Sequence, residues 1–434
     1  LADRFRLPVV SLVDVTGGQI KPLVASKAIA PSFSPDGRWV AYLATAERSA
    51  PHNLSVFVIS TSGGQPRKLA ETFDRQSTLI GWSADGAHVY VAESRGTFTR
   101  LSALPVTGGP ARDLDPGDTV LDTFALDPSR TMIAFTRETL KEPREAHVSL
   151  VDDFRPVQVS QVNGALPPHP LPRTDLVRCT SFDGAEIEGL LTYPIGCEPG
   201  RRYPLMLAVH AGGVAFQQTF LANPFLIDVY PVTELALRGY AVLRCNQRGG
   251  VLPGYGPDHS VPWFRVKDKA YHDVMTGVDH AVQLGLADGT RVGIGGLSNG
   301  GLVTSWVITQ TPRFKAAVVN AGFPDLIAAV TTRTTIARDL GAEPWENLRP
   351  YVEYSPLLRL GSMTTPTLIL HGERDEAVSI SQGYGLYRAL KRRGVPTEMI
   401  VYPGKTHVVT APKHLVDIGR RQVEWMERYL RDTP

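Results

Sequence analysis

The sequence predicts two unlike parts, an incomplete β-propeller followed by a mostly parallel, doubly wound α/β domain. Three observations lead there. A turn-and-strand phrase recurs near the start, and a Gly-Gly phrase is interleaved with it at a period of 45 to 46 residues. Beyond residue 173, short apolar strands alternate with amphipathic helices. At 434 residues the chain is long enough for two domains, each with its own core.

The first phrase reads Phe33-Ser34-Pro35-Asp36-Gly37-Arg38-Trp39-Val40-Ala41-Tyr42, and again Trp82-Ser83-Ala84-Asp85-Gly86-Ala87-His88-Val89-Tyr90-Val91. A degraded copy runs from Leu126 to Phe135. Each is a tight turn followed by a β-branched and aromatic strand. The second phrase, a strand running into Gly-Gly, occurs at Gly17-Gly18, Gly63-Gly64 and Gly108-Gly109. This period suits a four-stranded propeller blade better than an irregular β-sandwich. Residues 1–165 hold about three and a half such blades, whereas a closed propeller has four to eight. The start, Leu1-Ala2-Asp3, lacks an initiator Met and looks truncated. An open propeller exposes strand edges, so the expectation is a homo-oligomer or a second chain that completes it.

Residues 166–173 carry Pro167, Pro168, Pro170 and Pro172 and read as a stiff linker. From 174 to 434, strands are expected at 187–193, 205–210, 241–246, 292–295, 316–320, 367–371 and 398–402. Helices are expected at 268–284, 299–309, 381–393 and 413–430.

Composition excludes several classes. With 45 Lys+Arg against 43 Asp+Glu, the charge of +2 gives no reason to expect nucleic acid or an acidic membrane surface as partner. Three cysteines cannot build a disulfide framework, and none shows metal-ligand spacing. No apolar run approaches the ~20 residues of a membrane span, and no signal core is visible. A cytoplasmic location is favoured, and no metal or organic cofactor is expected.

The sharpest motif is Gly296-Leu297-Ser298-Asn299-Gly300, between an apolar strand and a helix pattern. This is a G-x-S-x-G nucleophile elbow, whose glycines permit a turn too sharp for a Cβ. A dinucleotide fingerprint would need glycine at Ser298, and a P-loop would need a lysine before it. A serine hydroxyl needs a base, and the base needs an orienting carboxylate. In the α/β-hydrolase fold the chain order is Ser, acid, His. Two later strands end in Gly372-Glu373-Arg374-Asp375 and Pro403-Gly404-Lys405-Thr406-His407, so Ser298, Asp375 and His407 are the expected triad. Glu373 or Glu376, and His371 or His414, are the alternatives for acid and base. An oxyanion hole, each donor of which is worth about 2.7–4 kcal/mol, is expected from the N–H groups of Asn299 and Gly212.

The chain resembles the prolyl oligopeptidase family of serine peptidases, in particular its acylaminoacyl-peptidase and dipeptidyl-peptidase-like branch. The similarity rests on many ordered segments, among them Thr180-Ser-Phe-Asp-Gly184, Asn246-Gln-Arg-Gly249, Gly254-Tyr-Gly256, Arg313-Phe-Lys-Ala-Ala317, His371-Gly-Glu-Arg-Asp375 and Tyr402-Pro-Gly404. The resemblance implies the triad above, an N-terminal propeller and no cofactor. It also places an S1 pocket near Phe323, Leu326, Ile327 and Val378, with core packing as the competing reading. Arg248 is a candidate contact to substrate, against a structural salt bridge. Two departures stand out. The family's His-Gly-Gly-Pro loop reads His210-Ala211-Gly212-Gly213, and Glu376-Ala377 replaces the arginine that prolyl oligopeptidases proper use on the substrate backbone. The expected function is hydrolysis of short peptides or acyl-peptides through an acyl-enzyme. An esterase or amidase on small acyl substrates is the alternative, and a non-catalytic propeller scaffold the remote one.

Overall fold

The computed structural model describes residues 9–45, 54–73, 76–166, 170–222, 230–250, 252–256, 259, 261–333 and 335–431. Part of the expected linker, residues 167–169, lies outside them. The chain divides into two compact units, one formed by Leu1–Pro167 with Gln217–Phe220 and Pro253–Ser260, the other by the remainder.

In the first unit, three four-stranded sheets each run as an antiparallel meander of consecutive strands, the arrangement of a propeller blade. They comprise Ala28–Phe33 to Arg67–Lys68, Thr78–Trp82 to Arg112–Asp113, and Val120–Leu126 to Val157–Gln158. A two-stranded sheet, Val10–Val13 with Ile20–Val24, precedes them. The repeated phrase explains its own recurrence. Ser34 Oγ donates to Asp36 Oδ1 (2.6 Å) and accepts from Trp39 N (2.9 Å), while Gly37 takes φ +70°. Ser83, Asp85 and Gly86 repeat this, with Ser83 Oγ accepting from His88 N at 2.9 Å. In the degraded copy the two polar roles are exchanged. Asp127 Oδ1 accepts from Met132 N (2.8 Å), and Arg130 occupies the left-handed position at φ 61°. The turn survives because the side-chain bonds, not the glycine alone, hold it.

In the second unit eight strands form one sheet: β1 (Thr174–Thr180), β2 (Glu186–Thr192), β3 (Tyr203–Val209), β4 (Ala241–Cys245), β5 (Ala287–Leu297), β6 (Phe314–Asn320), β7 (Thr367–Gly372) and β8 (Thr397–Tyr402). Their order is β1-β2-β4-β3-β5-β6-β7-β8. β2 is antiparallel to both neighbours, and β3 to β8 are parallel. The helices are α1 (Val232–Leu237), α2 (Trp263–Gln283), α3 (Asn299–Gln310), α4 (Leu326–Ala329), α5 (Thr335–Leu340), α6 (Arg349–Tyr354), α7 (Ser381–Arg392) and α8 (Pro412–Leu430).

Both faces of this sheet are buried, which is why its strands read as continuous apolar runs. Leu205, Leu207 and Val209 of β3 face one core with Val274 and Val278 of α2, Val307 of α3 and Leu386 of α7. Met206 and Ala208 face the other, with Leu235 of α1 and Val423, Trp425 and Met426 of α8.

All seven expected strands are present. β5 is longer than expected, and β1 joins them at the sheet edge. α2 starts five residues earlier than its polar pattern indicates, because Trp263 and Phe264 are buried in the core straight after Pro262. α3 is buried on every side from Asn299 to Thr309, so it carries no amphipathic period.

Candidate active site

The parallel strands leave their carboxyl ends along one edge, and the strand order reverses at β3, between β4 and β5. Loops at such a switch point diverge and open a crevice. The loop after β3 and the turn after β5 flank this point, and the loops after β7 and β8 lie further along the same edge.

At the end of β5, Ser298 has φ 57° and ψ −115°, outside the regions that L-residues normally occupy. Its N–H donates to Asn320 C=O (2.9 Å), and its own C=O accepts from Leu302 N (3.0 Å), so the strain is held from β6 and from α3. The flanking glycines are sterically required. A Cβ on Gly296 would run into the Gly300 backbone, and one on Gly300 into the carbonyl oxygens of Val209 and His210. Tyr230, which sequence reasoning missed, is buried and donates from its hydroxyl to Val209 C=O (2.7 Å), while accepting from Leu297 N (3.3 Å). Its burial raises its pKa, so it stays a neutral donor. No short motif marks this tyrosine in the sequence.

Asp375 follows β7 and His407 follows β8, and the structure brings them together. His407 Nδ1 lies 2.7 Å from Asp375 Oδ2, and the carboxylate is fully buried while the imidazole is 22% exposed. Asp375 Oδ1 accepts from Ala377 N (2.9 Å) and Val378 N (2.7 Å). Burial alone would raise the pKa of Asp375. Bonds from His371, His407 and the Val378 N–H outweigh it and hold the carboxyl below the usual carboxylate range. The two loops are tied to each other by Glu373 N to Tyr402 C=O (3.0 Å), Arg374 N to Lys405 C=O (2.8 Å) and Gly404 N to Glu373 Oε2 (2.8 Å). Glu373 therefore braces the histidine loop, and Glu376 is exposed. His371 is buried behind the acid, with Nε2 at 2.9 Å from Val378 C=O and 3.4 Å from Asp375 Oδ2. His414 packs on Tyr402. Ser298 Oγ and His407 Nε2 do not form a hydrogen bond in this structure, a link that commonly tightens only around a bound substrate.

Gly212 lies against the elbow: a Cβ there would sit 3.4 Å from Asn299 Cβ. Gly213 N–H donates to Gly250 C=O (2.7 Å), whereas Gly212 N–H has no partner among the described residues. The N–H of Asn299 heads α3 and has no helical carbonyl behind it. The two free N–H groups thus belong to neighbouring segments beside the serine.

The remaining candidates separate. Phe323, Leu326 and Val378 are buried within the core, and Ile327 is partly exposed against it. Arg248 is a correction to the substrate-contact expectation. Its Nε donates to Asp273 Oδ2 (2.9 Å), Nη1 to Asp183 Oδ2 (2.7 Å), and Nη2 to Asp273 Oδ1 (2.7 Å) and Asp183 Oδ1 (2.9 Å). Only 5% exposed, the guanidinium is a buried clamp with each of its three nitrogens on a carboxylate. Among the described residues no group of three or more His, Cys, Asp or Glu could hold a metal ion, and no helix is long and apolar enough to cross a membrane.

This strand order, with a strained serine between β5 and α3, defines the α/β-hydrolase fold. The family model of the prolyl oligopeptidases matches residues 229–433. Over that region the sequence is similar to the prolyl oligopeptidase family. It is 26% identical over 421 residues to dipeptidyl-peptidase 5 of Porphyromonas gingivalis, covering 92% of this chain and 59% of the relative. It is 28% identical over 483 residues to the uncharacterized peptidase YuxL of Bacillus subtilis, covering 93% of this chain and 71% of that protein. The chain thus spans less than two thirds of the length of the first of these. The acylaminoacyl peptidase of Pyrococcus horikoshii superposes with a TM-score of 0.83 at 20% identity, over 98% of this chain and 69% of that one.

Proposed function

We propose that the chain is a serine peptidase that hydrolyses short peptides or acyl-peptides through an acyl-enzyme. The observation that carries this reading is the 2.7 Å contact of His407 Nδ1 with the buried Asp375 carboxylate, on the sheet edge where Ser298 is held strained and half-buried. Asp375 keeps the imidazole proton on Nδ1, leaving Nε2 free as the base. Ser298 Oγ attacks the scissile carbonyl and its proton passes to His407 Nε2. The oxyanion that forms is met by the N–H groups of Asn299 and Gly212. The intermediate collapses, the C–N bond breaks, and the leaving amine takes the proton from His407. Water, deprotonated by the same imidazole, then cleaves the ester to release the acid and restore Ser298. The relatives' names, a dipeptidyl-peptidase and a peptidase, support a peptide substrate.

A fluorophosphonate probe followed by chromogenic acyl-peptide, aminoacyl and ester substrates tests this reading. Labelling of Ser298 with turnover of at least one peptide substrate is expected. Folded protein that takes no label would overturn it, and turnover of esters alone would replace the peptidase by an esterase.

A further inference from the structure

We propose that Arg333 is a specificity-determining residue, pairing with a carboxylate on the substrate residue whose carbonyl is attacked. This rests on the serine-peptidase reading above and adds a substrate class to it, an acidic residue at P1.

Arg333 stands between the two loops that frame the site. Its guanidinium carbon lies 4.8 Å from the centre of the Phe323 ring, and Nη1 donates to Ala377 C=O at 3.4 Å. Phe323 comes three residues after Asn320, whose carbonyl holds the Ser298 N–H. Ala377 donates its own N–H to Asp375. The side chain is therefore held over an aromatic ring and, by one hydrogen bond, against the loop that carries Asp375.

Its charge, however, is not neutralised. Arg333 forms no ion pair among the described residues. The two carboxylates whose field reaches it are engaged elsewhere, Asp375 with His407 and Asp339 with Arg338. Burial lowers its pKa, as it must for a partly desolvated cation without a contacting anion. None of its nitrogens is among the buried atoms that lack a partner, so the N–H groups not used on Ala377 face accessible space. Arg248, by contrast, has every nitrogen on a carboxylate. A planar fork of donors, packed over an aromatic ring, half-buried and with N–H groups left accessible, matches a carboxylate in two-point contact better than any neutral group. A lysine would offer the charge without the fork.

The test compares N-acyl anilides of Glu, Gln and Leu on the wild-type chain, Arg333→Gln and Arg333→Lys, with fluorophosphonate labelling of each. The expected result is a kcat/KM for Glu above Gln on the order of 10- to 100-fold in the wild type. That ratio should approach unity in Arg333→Gln and recover partly in Arg333→Lys. Equal rates for Glu and Gln in labelled wild-type protein would overturn the proposal alone, as would a Glu preference that survives in Arg333→Gln. A loss in Arg333→Gln shared equally by all three substrates would make the residue structural and also overturn it. Absence of label in the wild type would remove the peptidase reading and this inference together.

Discussion

Replacing Asp375 by Asn isolates the electrostatic part of the proposed mechanism. The Oδ1 atom would still accept from Ala377 N and Val378 N, now at 2.9 and 2.7 Å, so the loop should keep its shape. At the other atom an amide donor would replace the acceptor that faces His407 Nδ1 at 2.7 Å. Two consequences follow. The imidazole is driven to protonate Nε2, the nitrogen that must act as base, and the imidazolium formed in the reaction loses its counter-charge. Two unit charges about 4 Å apart at a partly buried site interact by about 4 kcal/mol. At 1.36 kcal/mol per tenfold in rate that is roughly a thousandfold, and the wrong tautomer carries the expected loss of kcat to about 10³- to 10⁴-fold. Steady-state kinetics on a peptide anilide, with circular dichroism to verify folding, measures it. The variant should also show a shallower loss of stability in acid. The depressed Asp375 pKa contributes stability that is fully present above the unfolded carboxyl value, about 3.9, and is lost as pH falls through the folded value. Folded Asp375→Asn protein within tenfold of wild-type kcat would refute the assignment of Asp375 as the orienting acid.

Other expectations can be checked with the same assays. Ser298→Ala and His407→Ala should each remove most activity, and the double variant should lose little more, since the two groups act as one unit; multiplicative losses in kcat would contradict this. Gly300→Ala should destabilise the fold by about 3 kcal/mol or more in chemical denaturation, because the new Cβ meets the carbonyl oxygens of Val209 and His210; an unchanged midpoint would show that the elbow can relax. Arg248→Met should lower stability by about 3–5 kcal/mol, since it leaves the fully buried Asp273 carboxylate without its cation. Loss of activity without loss of stability in that variant would return Arg248 to the substrate site.

Much of the candidate site was legible in the chain because its determinants are local. The elbow needs small residues at fixed offsets around Ser298, and Gly296 and Gly300 sit where a Cβ would strike backbone. The blade turns are legible for the same reason, since Ser34 and Asp36 bond within the turn they build. Even the exchange of roles at Asp127 and Ser129 is a five-residue affair. The all-round burial of α3 was less visible, because a helix surrounded by core has no polar face to set a period.

The sequence by itself determined the fold class, the order of Ser298, Asp375 and His407 on the strand ends, and the turns that repeat along the first unit, for these follow from short-range sterics and from the period of apolar residues. Tertiary structure alone decided the rest. Nothing near Arg248 in the chain marks Asp183 and Asp273, 65 and 25 residues away, as the carboxylates that consume its donors. Nothing near Arg333 shows that it lies over the Phe323 ring while no anion among the described residues meets it. Identical side chains became a clamp and an open fork because desolvation and pairing depend on what the folded chain places beside a charge, and distance along the chain does not encode that.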